Sequence, residues 1–233
     1  MKTFRIVMIL IIIGMMMMLY GCNMSINKSI YVKDGETLHS GPKTVNGSII
    51  VGNNCTIKGS CDTVNGRIEL GTTCSVKSLK AVNGRISVGK NTTVDGNIGT
   101  VNGSITCDES VIVNGNTSTV NGSITCGAGG KVEGNLSTVN GKIDLIGTEV
   151  NEDITTHTGD ITLKNKSIVA GDIIIKESHS ITDRFRTLDI RISDGSIVKG
   201  DIIVKDEDKK VKVYLSQGGN LEGQVKGAEV IRE

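Results

Sequence analysis

The chain has 233 residues, of which 30 are Gly, one is Pro and two are Phe, with no Trp, so a core built on aromatic side chains is excluded. Its 26 basic and 25 acidic residues form no long single-sign block, which argues against nucleic-acid binding and against a polybasic membrane patch. Core volume must instead come from Val, Ile, Leu, Thr and Cys, which fit narrow stacked strands.

Residues 1–21 are organised like a bacterial lipoprotein signal peptide. Lys2 and Arg5 precede the apolar run Ile6–Leu19, and the sequence then reads Leu-Tyr-Gly-Cys up to Cys22. This stretch resembles the lipobox, in which a small residue precedes a Cys that is lipidated and becomes the mature N-terminus. The alternative is an uncleaved anchor helix, although the apolar run is shorter than the roughly 20 residues that a full span needs.

The lipobox resemblance implies that Cys22 carries a lipid and that residues 22–25 form a short lipidated linker. We therefore expect the protein to be lipid-anchored in the cell envelope. Residue 23 is Asn and not Asp. For a lipoprotein of this kind, that implies the outer membrane if the organism is Gram-negative.

A repeat of 18 or 19 residues follows, marked by the phrase Val-Asn-Gly. Taking the Val as position 0, apolar residues return at positions 4 and 6, near 10 and 12, and at 16 together with the next position 0. Pairs of inward residues two apart indicate strands. Three pairs per repeat predict three short strands per coil. The phrase begins at Val45, Val64, Val82, Val101, Val120 and Val139.

The same register predicts further coils that lack the phrase, beginning at Ile26, His157, Arg186 and Lys209. We therefore predict an all-β fold, a single-stranded triangular β-solenoid (β-helix) of roughly ten coils, right-handed, over residues 26–226. Lys176 to Phe185 does not fit the register and is predicted to form a lateral insertion at 176–185. Residues 227–233 are predicted to form a C-terminal cap.

The Asn-Gly pairs are predicted to turn the corners of the coils. Gly adopts left-handed backbone conformations without a Cβ penalty, and Asn tolerates them. Because coils stack at about 4.8 Å, the asparagines should also form an amide ladder. This structural turn ladder comprises Asn46, Gly47, Asn65, Gly66, Asn83, Gly84, Asn102, Gly103, Asn121, Gly122, Asn140 and Gly141.

Several phrases resemble those of bactofilin-type (polymer-forming) β-solenoid proteins and of adhesin-like envelope repeat proteins. They are Asn65-Gly66-Arg67-Ile68, Gly159-Asp160-Ile161, Gly171-Asp172-Ile173 and Gly200-Asp201-Ile202. The resemblance covers most of residues 26–226 and is specific for architecture, since such phrases encode a turn followed by a strand. Typical bactofilins are cytosolic and lack a signal peptide, so the resemblance implies end-to-end assembly more readily than a cytoskeletal role.

Five cysteines follow Cys22. Cys55 and Cys74 share one position in consecutive coils, as do Cys107 and Cys126, so each pair lies within reach of a disulfide. The competing interpretation is that all five, with Cys61, are small buried hydrophobic residues.

Catalytic and metal sites are not expected. His39, His157 and His179 share no coil position, and Glu69, Asp144 and Asp160 are scattered, whereas enzymes acting on polysaccharides need clustered carboxylates. A hexapeptide-type acyltransferase would have coils whose length is a multiple of six residues, whereas the repeat in this chain has one residue more. Ser104-Ile105-Thr106 and Ser123-Ile124-Thr125 form a short Ser/Thr array, but charged residues in neighbouring coils interrupt it, so an ordinary solvated face is favoured over an ice- or glycan-binding one.

The sequence thus favours a non-enzymatic envelope lipoprotein, a structural or adhesin-like scaffold that presents a rod to its partners. Expected partners are the membrane, through the lipid, and an envelope polysaccharide or protein, which should bind first at the 176–185 insertion. No cofactor, metal or nucleic acid is expected. The alternatives are a polymer that self-associates end to end and, less favoured, a polysaccharide-active or acyltransferase enzyme.

Overall fold

The computed structural model describes residues 24–178 and 186–233. The predicted lipidation site at Cys22 and residues 179–185 of the predicted insertion lie outside these ranges. Within them, every regular element is a β-strand.

Thirty short strands follow one another in the described part of the chain. They are β1 (Met24–Ser25), β2 (Ile30–Val32), β3 (Thr37–Leu38), β4 (Lys43–Thr44), β5 (Ile49–Val51), β6 (Thr56–Asn65), β7 (Ile68–Leu70), β8 (Ser75–Asn83), β9 (Ile86–Val88), β10 (Thr93–Val94), β11 (Ile98–Gly99), β12 (Ile105–Cys107), β13 (Ile112–Val113), β14 (Thr117–Ser118), β15 (Ile124–Cys126), β16 (Lys131–Val132), β17 (Leu136–Ser137), β18 (Ile143–Ile146), β19 (Glu149–Val150), β20 (Ile154–Thr156), β21 (Ile161–Lys164), β22 (Ile168–Val169), β23 (Ile173–Ile175), β24 (Leu188–Ile192), β25 (Ile197–Val198), β26 (Ile202–Val204), β27 (Val211–Leu215), β28 (Asn220–Leu221), β29 (Val225–Lys226) and β30 (Glu229–Arg232).

The strands stack in parallel into three faces, which confirms the predicted β-solenoid of about ten turns. Face 1 is the 11-stranded sheet that runs from β2 through β12 to β30. The other two faces belong to one 19-stranded sheet, because β6 and β8 are long enough to continue around the corner between them. Face 2 contains β10, β13 and their equivalents, and face 3 contains β11, β14 and theirs. At about 4.8 Å per coil, ten coils give a rod about 48 Å long.

Paired residues of face 1 are 18 or 19 positions apart up to one point in the second half of the chain. Ile143 pairs with Ile161, but Ile161 pairs with Ile190, so the coil between the latter two contains about ten additional residues. They fall between β23, which ends at Ile175, and β24, which begins at Leu188. The additional residues therefore follow the last strand of face 3 in this coil.

Inward residues fill the interior of the rod from one coil to the next. Ile105 and Cys107 on face 1, Val111 and Val113 on face 2, and Ile98 on face 3 are each at most 4 % exposed. The coils that lack the repeat phrase follow the same pattern, since Ile161, Ile190 and Val213 are fully buried. Among the described residues, the core is thus a set of columns of aliphatic and small side chains with no aromatic member.

The solenoid extends slightly beyond the predicted bounds at both ends. At its start, β1 pairs with β4 from Met24 onward, so part of the predicted linker belongs to the first coil. At its end, β30 pairs with β27, so the predicted cap at 227–233 includes the last strand of face 1.

The third inward pair differs from the prediction. Val101 was expected to point inward together with Ile98, but Val101 is half-buried, whereas Thr100 is 6 % exposed. The same holds for Val120 and Val139, which follow the buried Thr119 and Thr138. The inward pair is therefore Ile98 with Thr100, which keeps the two-residue period of a strand. The repeat valines point outward at the end of face 3.

Candidate functional site

The asparagines of the repeat phrase form a continuous amide ladder along the corner between faces 3 and 1. Each side-chain Nδ2 donates to the Oδ1 of the asparagine one coil earlier, at 2.6–2.9 Å. The ladder begins at Asn27, one coil before the repeat phrase, and ends where the Thr158 hydroxyl donates to Asn140 Oδ1 at 3.1 Å. Its members are Asn27, Asn46, Asn65, Asn83, Asn102, Asn121 and Asn140.

The glycines beside this ladder serve a different purpose from the predicted one, because none of them has a positive φ. They are needed because adjacent coils approach closely at this corner. A Cβ placed on Gly103 would lie 2.1 Å from the carbonyl oxygen of Gly84, and one on Gly122 would lie 2.0 Å from that of Gly103. Amide hydrogen bonds between its asparagines therefore stabilise the turn ladder. Its glycines permit the close approach of adjacent coils because they have no side chain.

Apart from Asn27 and Gly227 at the two ends of the rod, left-handed backbone in the described residues occurs instead at the corner between faces 1 and 2. Asn54, Thr73, Asn91 and Ser110 occupy this corner in successive coils, with φ of 56–57°. Gly129 takes the same place in the next coil, with φ of 70°. Asn tolerates this conformation through local hydrogen bonding, but Thr does so rarely, so the position has no single sequence signature.

A second polar ladder follows the corner between faces 2 and 3. In each coil an Oδ1 atom accepts the backbone N–H of the equivalent residue in the next coil, at 2.8–3.2 Å. Towards the end of the rod the acceptors become carboxylates, and the backbone N–H of Gln224 together with Lys226 lowers the pKa of Asp201. The acceptors are Asn97, Asn116, Asn135, Asp153, Asp172 and Asp201.

Cys55 and Cys74 belong to a buried column of small hydrogen-bond donors at the start of face 2. Their Sγ atoms lie 3.0 Å from the carbonyl oxygen of Lys33 and 3.2 Å from that of Gly52. In the next coil the Thr92 hydroxyl donates to the Gly71 carbonyl at 3.1 Å. These thiols take the place of hydroxyl groups in a column of donors that hydrogen-bond to backbone carbonyl oxygens of the preceding coil.

The other three cysteines are also buried, and all five are free thiols in the structure. Cys107 and Cys126 face each other in paired strands, and the contact between their thiols, with burial, raises the pKa of Cys107. Burial also raises the pKa of the Cys61 thiol, and the adjacent Asp62 adds to this effect. Such thiols are poor nucleophiles and poor metal ligands, because both roles require the thiolate. Disulfide pairing of Cys55 with Cys74, or of Cys107 with Cys126, stays a prediction.

Two buried polar atoms of the described residues have no hydrogen-bond partner. One is Oγ1 of Thr117, which occupies an inward position of face 3 between Ile98 and Leu136. The other is Oδ1 of Asp62, whose Oδ2 lies 3.3 Å from Lys43 Nζ. Both lie on face 3.

Titratable groups of the described residues are distributed along the rod. In residues 24–178 and 186–233, no three His, Cys, Asp or Glu side chains come together in a way that could hold a metal ion. His157 lies on face 3, where its Nδ1 is 2.7 Å from the carbonyl oxygen of Glu177. An open depression of about 470 Å³ lies at the C-terminal end, where Lys210, Lys212 and Glu229 line it.

Face 1 carries the Ser/Thr array in its middle and apolar residues at its two ends. Thr106 and Thr125 lie directly opposite each other in the paired strands β12 and β15. In the same outward column, Tyr31 at the N-terminal end is 70 % exposed. Tyr214 lies near the other end, with the Arg191 guanidinium 4.4 Å from its ring centroid. The column is therefore polar at its centre and apolar at both ends.

Comparison with known proteins gives no relative from which a function could be transferred. No protein-family model, no curated protein and no solved structure matches this chain. Among the residues that the structure describes, there is no helix long and apolar enough to cross a membrane. Any functional assignment must therefore come from the residues themselves.

Proposed function

We propose that this chain is a lipid-anchored, non-enzymatic scaffold of the bacterial cell envelope, which presents its rod to a polysaccharide or protein partner. The observation that carries the proposal is the continuous aliphatic interior, with Ile105, Ile124, Ile143, Ile161 and Ile190 stacked at 0 % exposure in successive coils. A rod packed in this way offers its outward faces, its corners and its ends for contact.

The start of the solenoid supports the anchored arrangement. β1 begins at Met24, two residues after Cys22. A lipid on Cys22 would hold the first coil against the membrane surface, with no long flexible linker between them. The faces of the rod would then project away from the bilayer.

Acylation tests the anchor. Cells that produce the full chain would be labelled with a fatty-acid analogue, and Cys22→Ala should abolish labelling and leave unprocessed precursor. Cys55→Ser is the matched control, because it replaces a buried thiol whose position accepts hydroxyl groups in other coils. Equal labelling of the wild type and Cys22→Ala would refute the lipid anchor.

The insertion between β23 and β24 is the proposed first contact for a partner. It adds about ten residues at the end of face 3, and insertions in solenoids often form binding surfaces. Replacing residues 177–184 with a short Gly-Ser bridge should preserve the circular dichroism and melting of the rod and weaken its sedimentation with purified envelope polysaccharide. Undiminished sedimentation would assign the contact to the outward faces.

End-to-end assembly is the second candidate, favoured by the apolar ends of face 1. Continued stacking of the last coil on a first coil would place Ile231, in line with Tyr214, against Tyr31. The 70 % exposed Tyr31 would thereby become partly covered, as Tyr214 is between Arg191 and Ile231. Electron microscopy at rising concentration tests this, since filaments should form in the wild type and be lost in Tyr31→Arg.

A further inference from the structure

The outer surface of face 3 carries two adjacent columns, here called the valine face. One column contains the repeat valines, which point outward, and the other contains the residues two positions earlier in each coil. In the middle of the rod these earlier residues are small, being Gly99, Ser118, Ser137 and Thr155. The valine column comprises Ile26, Val45, Val64, Val82, Val101, Val120 and Val139.

The solenoid itself does not require the smallest of these residues to be small. Gly99 has no positive φ, and a Cβ added to it would meet nothing closer than Ser118 Oγ at 3.7 Å, which is ordinary van der Waals contact. Every other glycine in the described ranges either has a positive φ or would bring its Cβ within 3.0 Å of a neighbouring atom. Glycine within a strand weakens it and often marks a site where another chain approaches closely.

The two columns complement each other across a two-fold axis that runs parallel to the rod. They are about 6.6 Å apart, since strand residues two positions apart are separated by twice the rise per residue. Such an axis places the valine column of each copy over the small-residue column of the other copy. Because both copies have the same coil spacing, Val101, Val120 and Val139 would meet Gly99, Ser118 and Ser137 in every coil.

From this match we infer that the valine face is the interface of a parallel, side-by-side dimer of this chain. A second copy supplies the required coil spacing automatically, which an unrelated partner would not. The antiparallel arrangement would oppose valine with valine and leave the small residues uncovered. The parallel arrangement also places both N-termini at the same end, as the proposed lipid anchor requires, although the interface itself does not depend on a lipid.

Polar groups bound the complementary region at both ends, and those at the N-terminal end are charged. Towards the N-terminus, the column that contains Gly99 continues as Lys80, Asp62 and Lys43, of which the last two form an ion pair. Towards the C-terminus, the valine column ends at His157, beside the carbonyl of Glu177. The interface thus has an apolar centre and a polar rim, as specific protein interfaces do.

The size of the face indicates a weak dimer in solution. Seven coils at about 4.8 Å and four residues at about 3.3 Å give a face of roughly 34 by 13 Å, or about 900 Å² for two copies, of which the three complementary coils contribute about 400 Å². Even with its polar rim included, the face is smaller than the roughly 1,000–1,200 Å² at the lower limit of specific interfaces. Anchoring both copies to one membrane would raise their effective concentration and favour pairing.

The test uses the full chain in detergent micelles, with its mass followed by light scattering over a range of concentrations. We expect the wild type to shift from one to two copies per particle as concentration rises. Gly99→Val should remain monomeric at concentrations at least tenfold higher, because its side chain would occupy the space that receives the partner's valine. Thr106→Val is the control, an outward substitution to the same residue on face 1, and should dimerise like the wild type.

Folding can be separated from docking with the same variants. Gly99→Val should melt at or above the wild-type temperature, because the added Cβ has room and Val favours strands. A wild type that stays monomeric throughout, or a Gly99→Val variant that dimerises normally, would overturn the dimer. Loss of dimer in Thr106→Val alone would assign the interface to face 1 instead. Acylation of Cys22 is measured separately, so failure of the anchor and failure of the dimer are distinguishable.

Discussion

Buried hydroxyl groups stabilise this solenoid where a carbonyl of the preceding coil lies within reach. The Thr119 hydroxyl donates to the carbonyl oxygen of Gly103 at 2.9 Å, and Thr63 and Thr100 make the equivalent bonds to Gly47 and Gly84. Thr117, two residues before Thr119, points into the same interior without a partner. Two threonines of one strand region should therefore respond in opposite ways to the loss of their hydroxyl groups.

We predict that Thr117→Val raises the free energy of unfolding by about 1 kcal/mol, because it removes an unsatisfied buried hydroxyl and keeps the side-chain shape. Thr119→Val should lower it by about 1 kcal/mol, since the Gly103 carbonyl loses its donor. Urea denaturation followed by circular dichroism measures both. Destabilisation of equal size in the two variants would mean that the Thr117 hydroxyl has a partner.

The glycines allow a second comparison at single residues. A Cβ on Gly103 would lie 2.1 Å from a backbone oxygen that cannot move without shifting a whole coil, so Gly103→Ala should cost about 3 kcal/mol. Gly99→Ala should instead stabilise the monomer by about 0.5–1 kcal/mol, because Gly weakens a strand and the new methyl group has room. Thermal melting at low protein concentration distinguishes these outcomes. Similar losses for the two variants would contradict the assigned coil contacts.

At the scale of the strand, the important quantity is register, because a shift of one residue exchanges the inward and outward faces. Ile105 begins β12 at 0 % exposure, whereas Val101 lies four residues earlier at the outward end of face 3. Between them, the chain turns the corner that carries the Asn ladder. Hydrophobicity alone therefore does not decide which Val or Ile belongs to the core.

We predict that Ile105→Asp lowers the free energy of unfolding by more than about 4 kcal/mol, because it buries an unpaired charge. Val101→Asp should cost less than about 1 kcal/mol in the monomer, since the new carboxylate remains accessible to water. Chemical denaturation at a concentration too low for dimers provides the measurement. A cost for Val101→Asp close to that for Ile105→Asp would restore an inward role for the repeat valines.

The limits of the sequence prediction follow from the same elements. Positions 4 and 6 of each repeat alternate apolar with polar residues, so face 1 could be predicted and its strands are found. Thr100 and Val101 are both β-branched, so the sequence does not indicate which of them points inward. The structure places Thr100 inward, where its hydroxyl donates to the carbonyl oxygen of Gly84, a contact that no local sequence pattern reveals. The left-handed corner could not be predicted either, since Thr73 and Ser110 occupy it beside the expected Asn.

At the scale of the whole molecule, the solenoid is a one-dimensional stack in which each coil contacts its two neighbours. Its stability is then approximately a sum of coil and interface contributions. Hydrogen bonds of the Asn ladder link coils at one corner, and the backbone hydrogen bonds of three faces link them elsewhere. Such a molecule should tolerate the loss of a complete coil far better than the loss of part of one.

We predict that deletion of residues 101–119, which joins Thr100 to Val120, yields a folded solenoid one coil shorter. The deletion removes one Val-Asn-Gly repeat, so Asn121 should donate to Asn83 Oδ1 as Asn102 now does. Deletion of residues 101–109 is the matched control, because it would place residues 114–116, from the corner between faces 2 and 3, in face 1 and break every ladder at the junction. The full-coil deletion should keep the β-sheet circular dichroism and a cooperative melting transition, whereas the half-coil deletion should lose cooperativity. If both deletions melted alike, stability would not depend on coil register, and the nearest-neighbour description of this rod would be wrong.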